Sequence, residues 1–273
     1  MLYETNDLKR RITPSPVQVR DHINFLREKF YKIDSKWKQF EVLFNSLELL
    51  STTLPSDKKV LILERAYFYG GWTLFSPIFF KQKTISIDCF IDNQEENFGK
   101  QESWLDSDKV IKWRSDFINP AWNLKNIESN SIDVVIVPNV IHHIKEQTKM
   151  FDEFNRVLKR SGKCIIFEGL VREIHHLPDD YLRYTPEGVK NMFEKSGLNF
   201  HKLEIGSGIF DVISYVWQNA LEFFPEELKK EKEKWFYENH YPELQALDKK
   251  YNMNLTNPEK SFPMSYVIWG QKR

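Results

Sequence analysis

The chain has 273 residues, 41% hydrophobic and 29% charged, an ordinary globular mixture that excludes disorder over most of the length and suits one large domain, or one carrying an insertion. Lys plus Arg equals Asp plus Glu at 39 each, so no net field draws a phosphate backbone, and nucleic acid is not an expected partner. The opening MLYETNDLKRR has charges where a leader needs an apolar stretch, and IDVVIVPNVI is too short to span a bilayer, so a soluble, cytoplasmic protein without a membrane span is expected.

From Pro16 to Leu50 the residues Val19, Ile23, Leu26, Phe30, Ile33, Trp37, Phe40, Phe44 and Leu47 recur at spacings of three and four. That periodicity predicts one or two amphipathic helices, broken by TTLPSD at 52–57. β-rich runs then alternate with helical stretches: KVLIL (59–63), TISID (84–88), VIKW (110–113), IDVVIV (132–137) and KCIIFEG (163–169). They are largely apolar on both faces, as in a parallel sheet covered by helices. Cys89 and Cys164, in apolar runs, read as small buried hydrophobes rather than as a disulfide or metal site. Between the last two runs Met150, Phe151, Phe154, Val157 and Leu158 form one helical stripe, with Gly162 placed for a left-handed C-cap. A further helix starts at Thr185-Pro186, with Thr as N-cap, and stops at Ser196-Gly197. LNFHKLEI (198–205) and SYVIWGQK (265–272) supply a sixth and a seventh strand.

Such repeated strand–helix units imply right-handed crossovers and a doubly wound α/β sheet, with ligands gathered beyond the carboxyl ends of the strands near the switch point. Three segments are expected: an N-terminal helical segment (1–57), the sheet domain (58–208 and 263–273), and a helical insertion (209–262) before the last strand. The insertion is dense in charge and reads as a solvated helix face, a lid or a dimer surface, which leaves a homo-oligomer open.

The stretch from Asp116 to Gly197 resembles the type 11 methyltransferase domain of the class I S-adenosylmethionine-dependent methyltransferases. SNSIDVVIVPNVIHHI is similar to the family's fourth strand and turn, FNRVLKRSGKCIIFEG to its next helix and fifth strand, and RYTPEGVKNMFEKSGL to the helix after it. The resemblance implies a Rossmann-like sheet of seven strands with the last antiparallel, S-adenosylmethionine as cofactor, and methyl transfer to an acceptor. HHLPDDYLRYTPEG (175–188) is similar to methyltransferases of surface-glycan and small-molecule pathways, which implies a small-molecule or glycan-like acceptor.

On that resemblance the cofactor residues are Glu64 for the acid after the first strand, Ala66 and Gly70 in the following turn, Asp88 for the ribose hydroxyls with Asp92 as a fallback, Asp116 and Phe117 for the adenine, and Asn139. The turn, LERAYFYGGW, departs from the family: Ala66 and Phe68 replace glycines, and Gly70 with Gly71 remains. Tyr67, Phe68 and Tyr69 either line the donor pocket or fill it, and in the second case the fold serves as a catalytically inactive binding or scaffolding subunit. Asp88 can equally be a helix cap, and Asp116 a turn aspartate. His143 is the candidate base, with a packing role open for it and for His142. His176, Tyr181, Arg183 and Tyr184, beside His175, Asp179 and Asp180, either bind a hydroxylated acceptor or form a turn fixed by an Asp–Arg pair. The paired histidines show no familiar zinc spacing, and no metal is expected.

Overall fold

A computed structural model describes residues 12–31, 39–89, 103–175, 177–251 and 262–273. Ile33, Trp37, Asp92 and His176 lie outside them, as do the side chains of Phe30 and Phe68. Two helices come first, α1 (Pro16–Tyr31) and α2 (Glu41–Thr53). The main sheet is built from β1 (Lys59–Glu64), β3 (Lys83–Asp88), β5 (Phe117–Ile118), β6 (Ile132–Pro138), β7 (Leu158–Gly169), β8 (Leu198–Gly206) and β9 (Ser265–Lys272). Their order across the sheet is β5-β3-β1-β6-β7-β9-β8. The chain leaves β1 toward β3 on one side and returns to β6 on the other, so the switch point lies between β1 and β6. Pairing is parallel from β5 to β7, and β9 runs antiparallel to both its neighbours. This is the Rossmann-like methyltransferase fold, with seven strands and the last reversed.

Alternation along the strands sorts side chains to two cores. Leu61 and Leu63 of β1 face one cluster, together with Phe151 and Phe154 of α3 (Gln147–Val157) and Phe193 of α4 (Pro186–Lys195). Val60 and Ile62 face the other, with Leu26 of α1 and Phe44 and Leu47 of α2. Helices cover both faces, which is why β1 and β6 are apolar on both. α4 begins as expected, with the Thr185 hydroxyl accepting from the Gly188 N–H at 3.1 Å, and it ends at Gly197, whose φ of 85° favours glycine. α5 (Ile209–Leu221), α6 (Glu226–Asn239) and α7 (Tyr241–Tyr251) fill much of the span between β8 and β9. Among the described residues, no helix is long and apolar enough to cross a membrane.

Two local expectations change. VIKW is not a strand of the main sheet: only Trp113–Arg114 (β4) pairs there, antiparallel to Trp72–Thr73 (β2), in a separate ribbon. The edge position beside β3 goes to Phe117–Ile118, because Asp116 is tied to Ser86 by its N–H and its carboxylate, at 2.9 and 2.8 Å. Gly162 is not a helix C-cap either. α3 closes at Val157, Leu158 is already extended, and the left-handed residue is Ser161, with φ 63°. Glycine at 162 answers to close approach instead, since a Cβ there would stand 2.8 Å from the Lys159 carbonyl oxygen.

Candidate functional site

β1 delivers Glu64 to its carboxyl end, and the buried carboxylate is taken up by the chain itself. It accepts from the N–H groups of Leu74, Phe75 and Ser76 at 2.8, 3.1 and 2.9 Å, and from the Ser76 hydroxyl at 2.7 Å. Residues 66–69 form a tight helical turn, closed by the Gly71 N–H on the Ala66 carbonyl at 2.8 Å. Gly70 (φ 61°) and Gly71 (φ 82°) carry the left-handed backbone that ends it. Ala66 and Tyr67 are buried, so the turn is a packed plug of chain, unlike an open glycine loop. Arg114 braces it from outside, with Nη1 2.5 Å from the Gly70 carbonyl and the guanidinium 3.7 Å over the Trp72 ring.

Next to this turn β3 ends in Asp88, in register with Glu64 and fully buried. Its charged neighbour is Arg65, the residue after β1, which sequence reasoning passed over. Burial pulls Arg65 down to about 10, against the charges of Asp179 and Asp88. Asp116 lies 2.8 Å from the Ser86 N–H and holds the edge strand, and Phe117 leans on the core beside it.

The best-presented acceptors lie after β6 and β7. Asn139 adopts φ 59°, which asparagine tolerates better than most residues, while its N–H donates to the Phe167 carbonyl at 3.0 Å. Its Oδ1 and the Oε1 of Gln39 are buried without a hydrogen-bond partner among the described residues. Both face Gly169: a Cβ there would come within 3.9 Å of the first and 3.0 Å of the second. Unpaired buried acceptors are costly, and a ligand that donates hydrogen bonds would satisfy them. Gln39 has no sequence signal of its own; only the packing of the N-terminal segment against the end of β7 brings it in.

The segment after β7 folds back over the turn after β6. Tyr181 donates its N–H to the His142 carbonyl at 3.0 Å and its hydroxyl to Asp179 at 2.9 Å. Arg183 grips both Asp180 oxygens, at 2.5 and 2.8 Å, and the Glu173 carbonyl at 2.7 Å, so the Asp–Arg turn is present. The Tyr184 carbonyl accepts from the Tyr266 hydroxyl at 2.7 Å. Glu168, the last but one residue of β7, stands 2.5 Å from His142 Nδ1. Its place at a strand end was the available signal, and the reading stopped short of it.

His143, the candidate base, is buried, and burial first, then the neighbouring His142 and Arg65, lower its ring below the ordinary histidine range. The paired histidines, without a zinc spacing along the chain, come together in space. His142, His143, His175 and Asp180 each bring one ligating atom within 4.8 Å of the others, although His175 is 32 residues from His143 along the chain.

A family model for the methyltransferase domain matches residues 100–166. No curated protein matches the chain. Among solved structures, a SAM-dependent methyltransferase from Archaeoglobus fulgidus is similar at 15% identity and a TM-score of 0.47, covering 91% of this chain and 99% of that one. The YcgJ protein of Bacillus subtilis is similar at 20% identity and 0.46, covering 84% and 98%. A Haemonchus contortus phosphoethanolamine N-methyltransferase 2, solved with S-adenosyl-L-methionine, is similar at 15% identity and 0.45, covering 92% of this chain and 60% of that one.

Proposed function

We propose that this chain is a class I S-adenosylmethionine-dependent methyltransferase that methylates a small-molecule or glycan-like acceptor above the carboxyl ends of β6 and β7. The observation that carries the reading is the pair of unpartnered amide oxygens, Asn139 Oδ1 and Gln39 Oε1, buried around Gly169 beside the switch point. That donor set fits the cofactor. An ammonium group and ribose hydroxyls present the hydrogens that such oxygens accept.

In this reading Asp88 accepts from the ribose hydroxyls, Phe117 flanks the adenine, and Asn139 with Gln39 holds the donor's polar end. Gly70 and Gly71 let the backbone turn close to it. Glu64 acts one step away, by fixing the turn through four hydrogen bonds. The bound cofactor supplies an electrophilic methyl group on a sulfonium centre. What the protein adds is alignment, because an acceptor atom held in line behind the methyl–sulfur bond reacts far faster than one that diffuses. Arg172, within electrostatic reach of Glu168 and of Tyr69 in the turn, supplies a cation for an acidic group on the same side.

The acceptor wall is formed by Tyr181, Arg183 and the helices α5 to α7 of the insertion, with His176 a few residues upstream in the chain. The Tyr215 hydroxyl of α5 donates to Glu173, which ties the insertion to the segment after β7, and the Tyr241 hydroxyl of α7 donates to Asp211 of α5 at 3.0 Å within the insertion. We assign the insertion as a lid on the 58–208 and 263–273 domain, and place the protein in the cytoplasm, where Cys89 and Cys164 stay reduced. A second reading, a binding subunit without catalysis, is favoured by one observation, the burial of Ala66 and Tyr67 where the family has open glycine backbone. Isothermal titration of the full chain with S-adenosylhomocysteine separates the two. Saturable 1:1 binding with a rise in melting temperature supports the enzyme; no heat and no thermal shift at millimolar ligand leaves the second reading.

A further inference from the structure

The ring nitrogens of His142, His143 and His175 are ordered in a way that packing alone does not explain. The Nδ1 atoms of His143 and His175 face the Asp179 carbonyl at 2.5 Å and the Glu173 carbonyl at 3.0 Å, and Glu168 Oε1 stands 2.5 Å from that of His142, outside hydrogen-bond geometry. The Arg183 contact to His175 Nδ1, at 3.5 Å, is longer than the 2.7 and 2.8 Å bonds Arg183 makes to Glu173 and Asp180. An acceptor at Nδ1 favours the proton there and makes Nε2 the ligating nitrogen. His142 Nε2 and His175 Nε2 lie 3.2 Å apart, an approach that a shared proton or a cation between them explains.

We propose that His142, His143 and His175 form a site for a divalent transition-metal ion of the zinc class, bound through three Nε2 atoms, with Asp180 or a water completing the shell. The distance agrees with this: two nitrogens each bound at about 2.0–2.1 Å in a tetrahedral shell lie about 3.3–3.4 Å apart. The surroundings agree as well. A carboxylate and two backbone carbonyls behind the ligating rings are the outer partners that metal-binding imidazoles take. The three ring centroids are 3.8, 4.9 and 5.2 Å apart, and the ligating atoms of the four residues fall within 4.8 Å of one another. The carboxylates of Glu168 and Asp180 offset part of the ion's charge.

Such an ion would clamp the segment after β7 onto the turn after β6. The inference stands on the rings alone and does not require methyl transfer. The test uses the full chain, dialysed against chelator and then titrated with Zn²⁺ by calorimetry, with Co²⁺ absorption as a reporter of ligand set. One ion per chain should bind at micromolar or tighter affinity, raise the melting temperature, and give the visible bands of a tetrahedral, nitrogen-rich cobalt site. His175→Ala, in a half-buried segment, should weaken Zn²⁺ binding at least a hundredfold while the metal-free protein keeps its far-ultraviolet spectrum. His201→Ala, on exposed β8, should leave binding unchanged. Should the parent chain bind no zinc, or His175→Ala bind it equally well, the site is a histidine cluster sharing a proton and the proposal fails. Should His175→Ala not fold, the cobalt spectrum of the parent chain decides: octahedral bands, or none, overturn it.

Discussion

The two halves of the switch point are built differently. After β6 and β7 the chain is well packed and yet leaves polar atoms unanswered: Asn139 Oδ1 and Gln39 Oε1 have no hydrogen-bond partner among the described residues. After β1 the reverse holds. The Glu64 carboxylate has four hydrogen bonds, Ala66 and Tyr67 are buried, and the space that glycines would open is filled with chain. Polar atoms left unsatisfied mark places where a ligand supplies the missing half, whereas saturated ones mark structure. On that rule the proposed recognition surface falls mainly on the β6–β7 side, with the first turn as its support.

The contrast can be broken by substitution. The largest effect is expected from Phe154→Ala, under the β6–β7 side. This fully buried ring packs on Phe151 at 5.7 Å between centroids, and its removal should lower unfolding free energy by about 3–5 kcal/mol in a denaturant titration. Glu64→Ala strands three buried N–H groups, so it should cost about 3 kcal/mol of stability. If it instead abolished cofactor binding with stability intact, the first turn would be the recognition surface and the contrast would be inverted. Asn139→Gly keeps the left-handed backbone and removes an oxygen without a hydrogen-bond partner among the described residues. Stability should change by less than about 0.5 kcal/mol while the S-adenosylhomocysteine Kd rises roughly tenfold, about 1.4 kcal/mol. The smallest effect concerns acid. The Arg183 fork holds Asp180 below the usual carboxylate range, so the stabilisation it gives is present above about pH 4 and fades as pH falls further. Arg183→Met should flatten that acid limb of the melting-temperature profile.

Much of the architecture was legible. The alternation at 59–63, 84–88, 132–137 and 163–169 placed four strands to within a few residues, because a strand buried on both faces must be apolar throughout. Thr185-Pro186 and Gly197 marked the ends of α4 by local chemistry alone. VIKW failed because Val110 and Ile111 are apolar to pack on the core beneath the main sheet without joining its ladder, and pairing with β3 starts at residue 117. Gly162 failed because glycine serves close approach as readily as a left-handed turn. In the site, Asp88 and Asn139 were named from their places at strand ends. Arg65, Gln39 and Glu168 were not, since their meaning depends on what faces them across the fold.

The order of strands and helices, the apolar faces and the capped ends were written in the sequence, because each depends on residues a few positions apart. The partners of the polar groups were decided by tertiary structure alone. Nothing along the chain says that Glu64 will meet the N–H groups of 74–76, that Gln39 will turn its oxygen toward Gly169, or that His175 will come to 3.2 Å from His142. Hydrogen bonds and ligand fields act over about 3 Å in space, and only packing brings distant residues that close.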